Sequence, residues 1–222
     1  MNIKIFVITH RDIEISNFKS ICKPMLVGAY DKSDALSKKY VFDSTNDNIS
    51  ARNNAYCEMT GLDWLWKNSS EEFLGLVHYR RFFINCSAFR YNERLFKTKN
   101  NNWQLIDEKE IEKALNKYEI IVKKSPLCYK GNRNAFSSMI GEENWYELEK
   151  LFYNKYSDYL DSFRKYEKKL HHINCNMFIA KKELIDKYCE WVFELLKDLD
   201  DNHFIKCGKY YQNRELGLLE KQ

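Results

Sequence analysis

Two prolines and seven glycines in 222 residues leave little material for linkers, and no Ser/Gly-rich stretch or internal repeat divides the chain. One domain over residues 1–222 is the expectation. Long hydrophobic runs are also missing. None approaches the roughly 18 apolar residues needed to cross a bilayer, and the opening MNIKIFVITH has too brief an apolar stretch and the wrong flank for a secretory signal, so a cytoplasmic protein is expected. The seven cysteines (Cys22, Cys57, Cys86, Cys128, Cys175, Cys189 and Cys207) never form a C-x-x-C pair, are odd in number and mostly sit in apolar or helical patterns. That favours reduced, structural thiols over zinc sites or disulfides. Nor does one sign of charge prevail. With 36 basic against 32 acidic side chains, a net charge of +4 is too balanced for a dedicated polyanion binder, and any anion site must be local.

What is present is the composition of an ordinary globular domain, 44% hydrophobic and 31% charged, long enough to bury a core. The β-branched run 3–9 (IKIFVIT) reads as a strand ending in His10 and Arg11. Shorter strands are expected at 25–29 and 39–43, and buried ones at 73–77, 119–123 and 176–180. Helical patterns lie between them. Ala55, Met59, Leu62 and Trp66 share one helical face behind Ser50 as a candidate N-cap. Asp107 and Glu110 have capping-box spacing ahead of Ile111, Ala114, Leu115 and Tyr118. Trp145, Leu148 and Phe152 mark another stripe, and Leu184, Tyr188, Trp191, Val192, Leu195 and Leu199 the clearest one. This alternation predicts a layered α/β fold with a mostly parallel central sheet flanked by helices, its ligand site beyond the carboxyl ends of the strands.

Three polar segments stand at such ends: 43–53 (DSTNDNISARN), 75–83 (GLVHYRRFF) and 171–182 (HHINCNMFIAKK). Arg80 and Arg81 each stay charged at any working pH and need acceptors for five donors. An anionic ligand satisfies them, as do solvent or local carboxylates. Strict strand alternation would send His78 and Arg80 to one face and Tyr79 and Arg81 to the other. Asp43, Asp47, Asn48 and Ser50 read either as ligand contacts or as turn and cap chemistry. His171 and His172 would point to opposite faces of a strand, with no neighbouring ligand pattern, so no metal is assigned to them.

The order of motifs resembles that of a bacterial capsular-polysaccharide glycosyltransferase family, long catalogued only as a domain of unknown function. The motifs are the VGA strand at 27–29, D-x-x-x-D-N-I-S-x-x-N from Asp43, C-E-x-T-G-x-x-W-x-W-K-N from Cys57, G-L-x-H-Y-R-R-x-F from Gly75, and N-M-F-I from Asn176 with Y-C-x-W-x-F from Tyr188. The resemblance implies a GT-A-like Rossmann-type fold and a transferase that takes a nucleotide-diphosphate sugar, a UDP-sugar first, to a lipid-linked glycan acceptor at the inner face of the cytoplasmic membrane.

In that frame Ala51, Arg52 and Asn53 match the element that opens a helix in many such enzymes, and the strand that should end in an acidic metal motif ends instead in His78, Tyr79, Arg80 and Arg81. The resemblance therefore implies that Arg80, supported by Arg81 and His78, meets the diphosphate without a metal cofactor. Thr9 and His10 fall where relatives contact the base, Asp47, Asn48, Ser50, Arg52, Asn53 and Tyr79 on the donor side, and Asn174 and Asn176 on the acceptor side. Glu143, with Glu142 at a helix start, is the candidate general base, and Glu58 and Asp47 are alternatives. Acids at a helix start also have an ordinary dipole explanation. Arg214, Gly217 and Glu220 match a C-terminal segment of the family. Two other readings stand beside this one: a basic, aromatic nucleic-acid module, which lacks a recognised motif, and an inactive fold serving as a subunit of a synthesis complex.

Overall fold

The computed structural model describes residues 1–14, 20–32, 36–83, 106–123, 130–171, 173 and 175–201. Arg214, Gly217, Glu220, His172 and Asn174 lie outside them. The chain forms two compact units, one of residues 1–124 and 173–190, the other of 125–172 and 191–222.

The first unit is built on a six-stranded sheet: β1 (Ile3–Thr9), β2 (Cys22–Leu26), β3 (Val41–Phe42), β4 (Phe73–His78), β5 (Ile120–Val122) and β6 (Phe178–Lys181). The strand order is β3-β2-β1-β4-β6-β5. β1 to β4 are parallel, while β6 runs antiparallel to both β4 and β5, so it alone is reversed. The mostly parallel sheet expected from the sequence is present. β5 departs from expectation: Ile121 is its sole buried residue, and Ile120 and Val122 are exposed. It is an edge strand, and an apolar triplet alone does not say which face has a neighbour.

Alternation along β1 assigns its faces. Ile3, Ile5 and Val7 join a cluster with Ile111 and Leu115 of α3 (Glu108–Leu115), which Asp107 caps by accepting the Glu110 N–H at 3.0 Å. On the opposite face Phe6 meets Trp64 edge-on, and Ile8, Met25 and Val27 crowd Gly61 so closely that a β-carbon there would stand 2.7 Å from Ile8 Cδ1. Trp64 and Gly61 belong to α2 (Met59–Asn68).

The single helix expected behind Ser50 is broken. A 3-10 turn, Ser50–Arg52, leads into α1 (Asn53–Tyr56), and Cys57 at φ 50 separates α1 from α2. Ser50 caps nothing; its hydroxyl donates to Asp43 Oδ1. A stripe of apolar residues cannot reveal such a break, because a short helix on either side keeps the same spacing.

Asp43 directly follows β3 and has no exposed surface. Its carboxylate accepts four hydrogen bonds: Gly28 N–H and Ala29 N–H, both at 3.0 Å, Ser50 Oγ, and Thr60 Oγ1 at 2.6 Å. Gly28 has φ +62, and a β-carbon there would lie 2.9 Å from Asn53 Oδ1, so the turn after β2 requires glycine. One side chain thus ties together two strand ends, the 3-10 turn and α2.

The second unit comprises α4 (Gly131–Ile140), α5 (Glu142–Asn154), α6 (Leu160–Lys168) and the part of α7 (Lys182–Asp201) from Trp191 onward. Its core stacks Phe163 on Trp145 and Phe152, at 5.1 and 4.5 Å between ring centroids, with Tyr156 and Leu195 beside them. Earlier in α7 the buried face is carried by Ile185 and Cys189, whereas Leu184 is half-buried and Tyr188 exposed. The expected stripe is therefore displaced by one residue there. Burial pushes the Cys189 thiol up to about 12, in keeping with a structural role. No helix among the described residues is long and apolar enough to cross a membrane.

Asp43→Ala takes the shared acceptor away from Gly28 N–H, Ala29 N–H and Ser50 Oγ, and leaves Thr60 Oγ1 only the Cys57 carbonyl at 3.1 Å; it is expected to cost more than about 3 kcal/mol of stability. The measurement is a urea midpoint at unchanged slope. A midpoint equal to that of the unaltered protein would remove Asp43 from this role.

Candidate functional site

The chain leaves β1 to build β2 and β3 on one side, then returns to place β4 on the other. Such a reversal opens a crevice at the carboxyl ends of the two central strands. Ile8 pairs with His78 in register, so the residues just past each strand, His10 and Arg11 on one and Tyr79 to Arg81 on the other, emerge side by side.

Local bonds shape both ends. Thr9, buried, accepts the Arg11 N–H at 3.2 Å and donates to the Arg11 carbonyl at 2.6 Å, which turns the chain out and leaves His10 and Arg11 exposed. On β4, the Tyr79 N–H continues the ladder to the Ile8 carbonyl at 2.9 Å, and the Arg81 N–H then returns to the His78 carbonyl at 2.9 Å. The chain therefore turns over Tyr79 and Arg80, and the strict alternation expected of an extended strand stops at His78. The Tyr79 ring is the shared platform of the cluster. His10 meets it edge-on at 5.6 Å, Arg11 Cζ lies 5.0 Å from its centroid and Arg80 Cζ 4.9 Å. Cations over an aromatic face are attracted by its quadrupole.

His78 lies on the inner side of this turn. Its Nε2 is buried with no hydrogen-bond partner among the described residues. Burial holds its pKa below the ordinary 6.5; the Glu58 carboxylate works the other way, and the charges of Arg81, Lys123 and Arg80 reinforce the depression. Glu58 sits in the bend before α2, and Lys123 just past β5, where its Nζ is 3.8 Å from Cys175 Sγ. Asn176 Nδ2 is 3.0 Å from Met59 Sδ. Cys57 and Cys175, which precede Glu58 and Asn176, both have positive φ, 50 and 62. Backbone held in that region costs about 1–3 kcal/mol per residue, and such residues collect at functional sites.

Among the residues expected at the site, His10, His78, Tyr79 and Arg80 are gathered at this end of the sheet, with Thr9 beneath them, Arg81 beside His78 and Asn176 at Met59. Others are engaged in the fold. Asn48 donates to the Ser44 and Asn46 carbonyls and accepts the Ser50 N–H. Asp47 pairs with Lys67 at 3.0 Å, and Asn53 donates to the Cys57 carbonyl and Thr60 Oγ1. Arg52 is exposed with Cζ 4.8 Å from the Tyr56 ring centroid. Glu143 opens α5 in the second unit and is exposed, and its neighbour Glu142 pairs with Arg133. Arg11, which the sequence places at the end of the first strand without a role, and Lys123 join the site only in the structure. Arg11 could have been found, since it follows the first strand as Arg80 follows the fourth; for Lys123 the sequence carries no comparable signal. Among the described residues no three His, Cys, Asp or Glu side chains converge as a metal-ligand set.

The depressed pKa of His78 sets a pH dependence. The unfolded imidazole binds a proton near 6.5 and the folded one resists it, so the stability held by the neutral ring is complete above pH about 6.5 and is lost as pH falls from there toward the folded pKa. His78→Gln is therefore expected to flatten the fall in urea midpoint below pH about 6.5. Equal slopes in both proteins would show that His78 does not titrate differently on folding.

The whole of this architecture has a relative among solved structures. The chain matches the apo structure of the bifunctional glycosyltransferase WbbM with a TM-score of 0.78 and 24% identity, over 96% of this chain and 39% of that one. It therefore spans well under half the length of that relative, and the likeness establishes a GT-A-like fold. No curated protein matches. The family described as Domain of unknown function (DUF4422) matches residues 4–221, so the chain belongs to the DUF4422 family.

Proposed function

We propose that the protein is a glycosyltransferase moving a sugar from a nucleotide-diphosphate donor, a UDP-sugar first, to a hydroxyl of a growing capsular or cell-surface polysaccharide. The observation that carries this reading is the basic cluster of Arg11, Arg80, Arg81 and Lys123 around the carboxyl ends of the parallel strands. The fold shared with a chain titled a bifunctional glycosyltransferase supports it.

In this reading the leaving nucleoside diphosphate gains charge as the glycosidic bond breaks, and guanidinium groups already in place lower the barrier because they need no reorganisation at that moment. Arginine suits the task, since its planar fork meets two phosphate oxygens at once. The Tyr79 ring keeps Arg11 and Arg80 near each other before the donor arrives. The reaction needs no divalent cation in this account: basic residues stand where an acidic metal motif would, and the Asp43 oxygens are taken by four protein donors. A carboxylate accepts the proton of the acceptor hydroxyl. Glu58, whose charge acts on His78, is the one to replace by Gln.

Titration calorimetry with nucleoside diphosphates is expected to show binding in the micromolar to millimolar range, UDP tightest, and no comparable binding of single-stranded oligonucleotides. The reverse order would reject the transferase reading. Arg80→Ala is expected to lower kcat by more than about tenfold, or ~1.4 kcal/mol of transition-state stabilisation, in a protein that melts as before. Transfer to a lipid-linked or synthetic acceptor is expected to persist in excess EDTA. Activity lost to the chelator and restored by Mn²⁺ would show that the arginines do not replace a metal.

A further inference from the structure

Four lysines gather at one end of the second unit. Lys165 and Lys168 occupy the last turn of α6, Lys169 follows it, and Lys130 precedes α4. Gly131 approaches this end of α6 so closely that a β-carbon on it would stand 3.3 Å from the Glu167 carbonyl oxygen and 3.9 Å from that of Lys169. Lys130 is therefore a neighbour of Lys168 and Lys169. All four lysines are exposed, and none is ion-paired among the described residues. The nearest acid along α6, Glu167, is held by Arg164 at 3.1 Å.

The segment that displays them is fixed from within. Asn132, only 3% exposed, donates its backbone N–H to the Lys169 carbonyl at 3.0 Å, and its Nδ2 to the carbonyls of Tyr166 at 3.0 Å and His171 at 3.1 Å. Three hydrogen bonds from one buried residue hold the backbone of 166–171 in place. Yet this pinned segment leaves Leu170 46% and Tyr166 41% exposed among the lysines. An aliphatic side chain held in water next to Lys168 and Lys169 in the chain gains nothing from a nucleic-acid backbone, and lysine offers point charges rather than the planar forks of arginine. Both features gain at a membrane surface: lysines near anionic headgroups, a leucine at the acyl boundary, and a tyrosine at headgroup level.

We propose that this end of the second unit docks on an anionic lipid surface, with Lys130, Lys165, Lys168 and Lys169 toward the headgroups and Leu170 inserted between them. This proposal stands whether or not the transfer reaction proposed above is correct.

The test is co-sedimentation of the full chain with vesicles of phosphatidylcholine alone and of phosphatidylcholine mixed with phosphatidylglycerol, at low and high salt. Binding is expected to the mixed vesicles only and to weaken with salt. The double variant Lys168→Glu/Lys169→Glu is expected to lower the partition coefficient by more than about tenfold, since each basic residue near an anionic leaflet contributes about fivefold. Leu170→Ser should lower it at unchanged charge. The control Lys109→Glu/Lys113→Glu, on exposed positions of α3, alters net charge equally and should leave most of the binding intact. Circular dichroism checks that each variant folds. No binding to mixed vesicles, equal binding to neutral ones, or equal losses in both double variants would overturn the proposal. So would oligonucleotide binding that the patch variant abolishes in a protein that ignores vesicles.

Discussion

A carboxylate with no exposed surface and four hydrogen-bond donors around it governs the geometry of the first unit. Asp43 reaches back to the turn after β2, forward to the 3-10 turn at Ser50, and on to Thr60 in α2. Because a buried donor without an acceptor costs far more than a hydrogen bond gains, these four groups must keep their places together. The turn at Gly28 then fits against Asn53, and Asn53 in turn bonds the Cys57 carbonyl at the break before α2. Glu58 and Met59 come directly after that break. The polar loop after β3 is thus the brace that sets one wall of the candidate site, with its own polar atoms largely satisfied within the fold.

The second constraint is the order of the sheet. Parallel strands with covered faces leave their ends as the place where polar side chains meet solvent without disrupting the core. Since β1 and β4 are neighbours in register, two basic strand ends far apart in sequence become one cluster. Like charges brought together repel, and the structure tempers this by seating Arg11 and Arg80 on the Tyr79 ring and placing the Glu58 carboxylate within the field of His78. Among the described residues the arrangement gathers Arg11, Arg80, Arg81 and Lys123 with Glu58 as the acid that acts on His78, and exposes Arg11 and Arg80, which is the electrostatic condition for receiving an anion.

Local elements were largely legible in the sequence because their signals are local. The β-branched run at 3–9, the Asp107 cap and the Trp145 and Phe152 stripe each depend on contacts within a few residues, and each appears where expected. The misses share a cause. The break at Cys57, the exposed faces of β5 and the one-residue displacement of the buried face of α7 all depend on what lies opposite, which spacing alone does not state. The basic turn after β4 was visible as a motif, whereas Lys123 had no local pattern to mark it.

By itself, then, the sequence determined the alternation of strands and helices, the apolar faces and the placing of arginines after a buried strand, because periodicity and chain chemistry act over one or two turns. The tertiary structure alone decided that Asp43 faces four donors from three other segments and that Arg11 shares a ring with Arg80. It also decided that Asn132 pins a loop carrying an exposed leucine. Such pairings join residues dozens of positions apart, and they are fixed by which strands become neighbours and which helices close over them, a choice made by the burial of the whole core rather than by any segment within it.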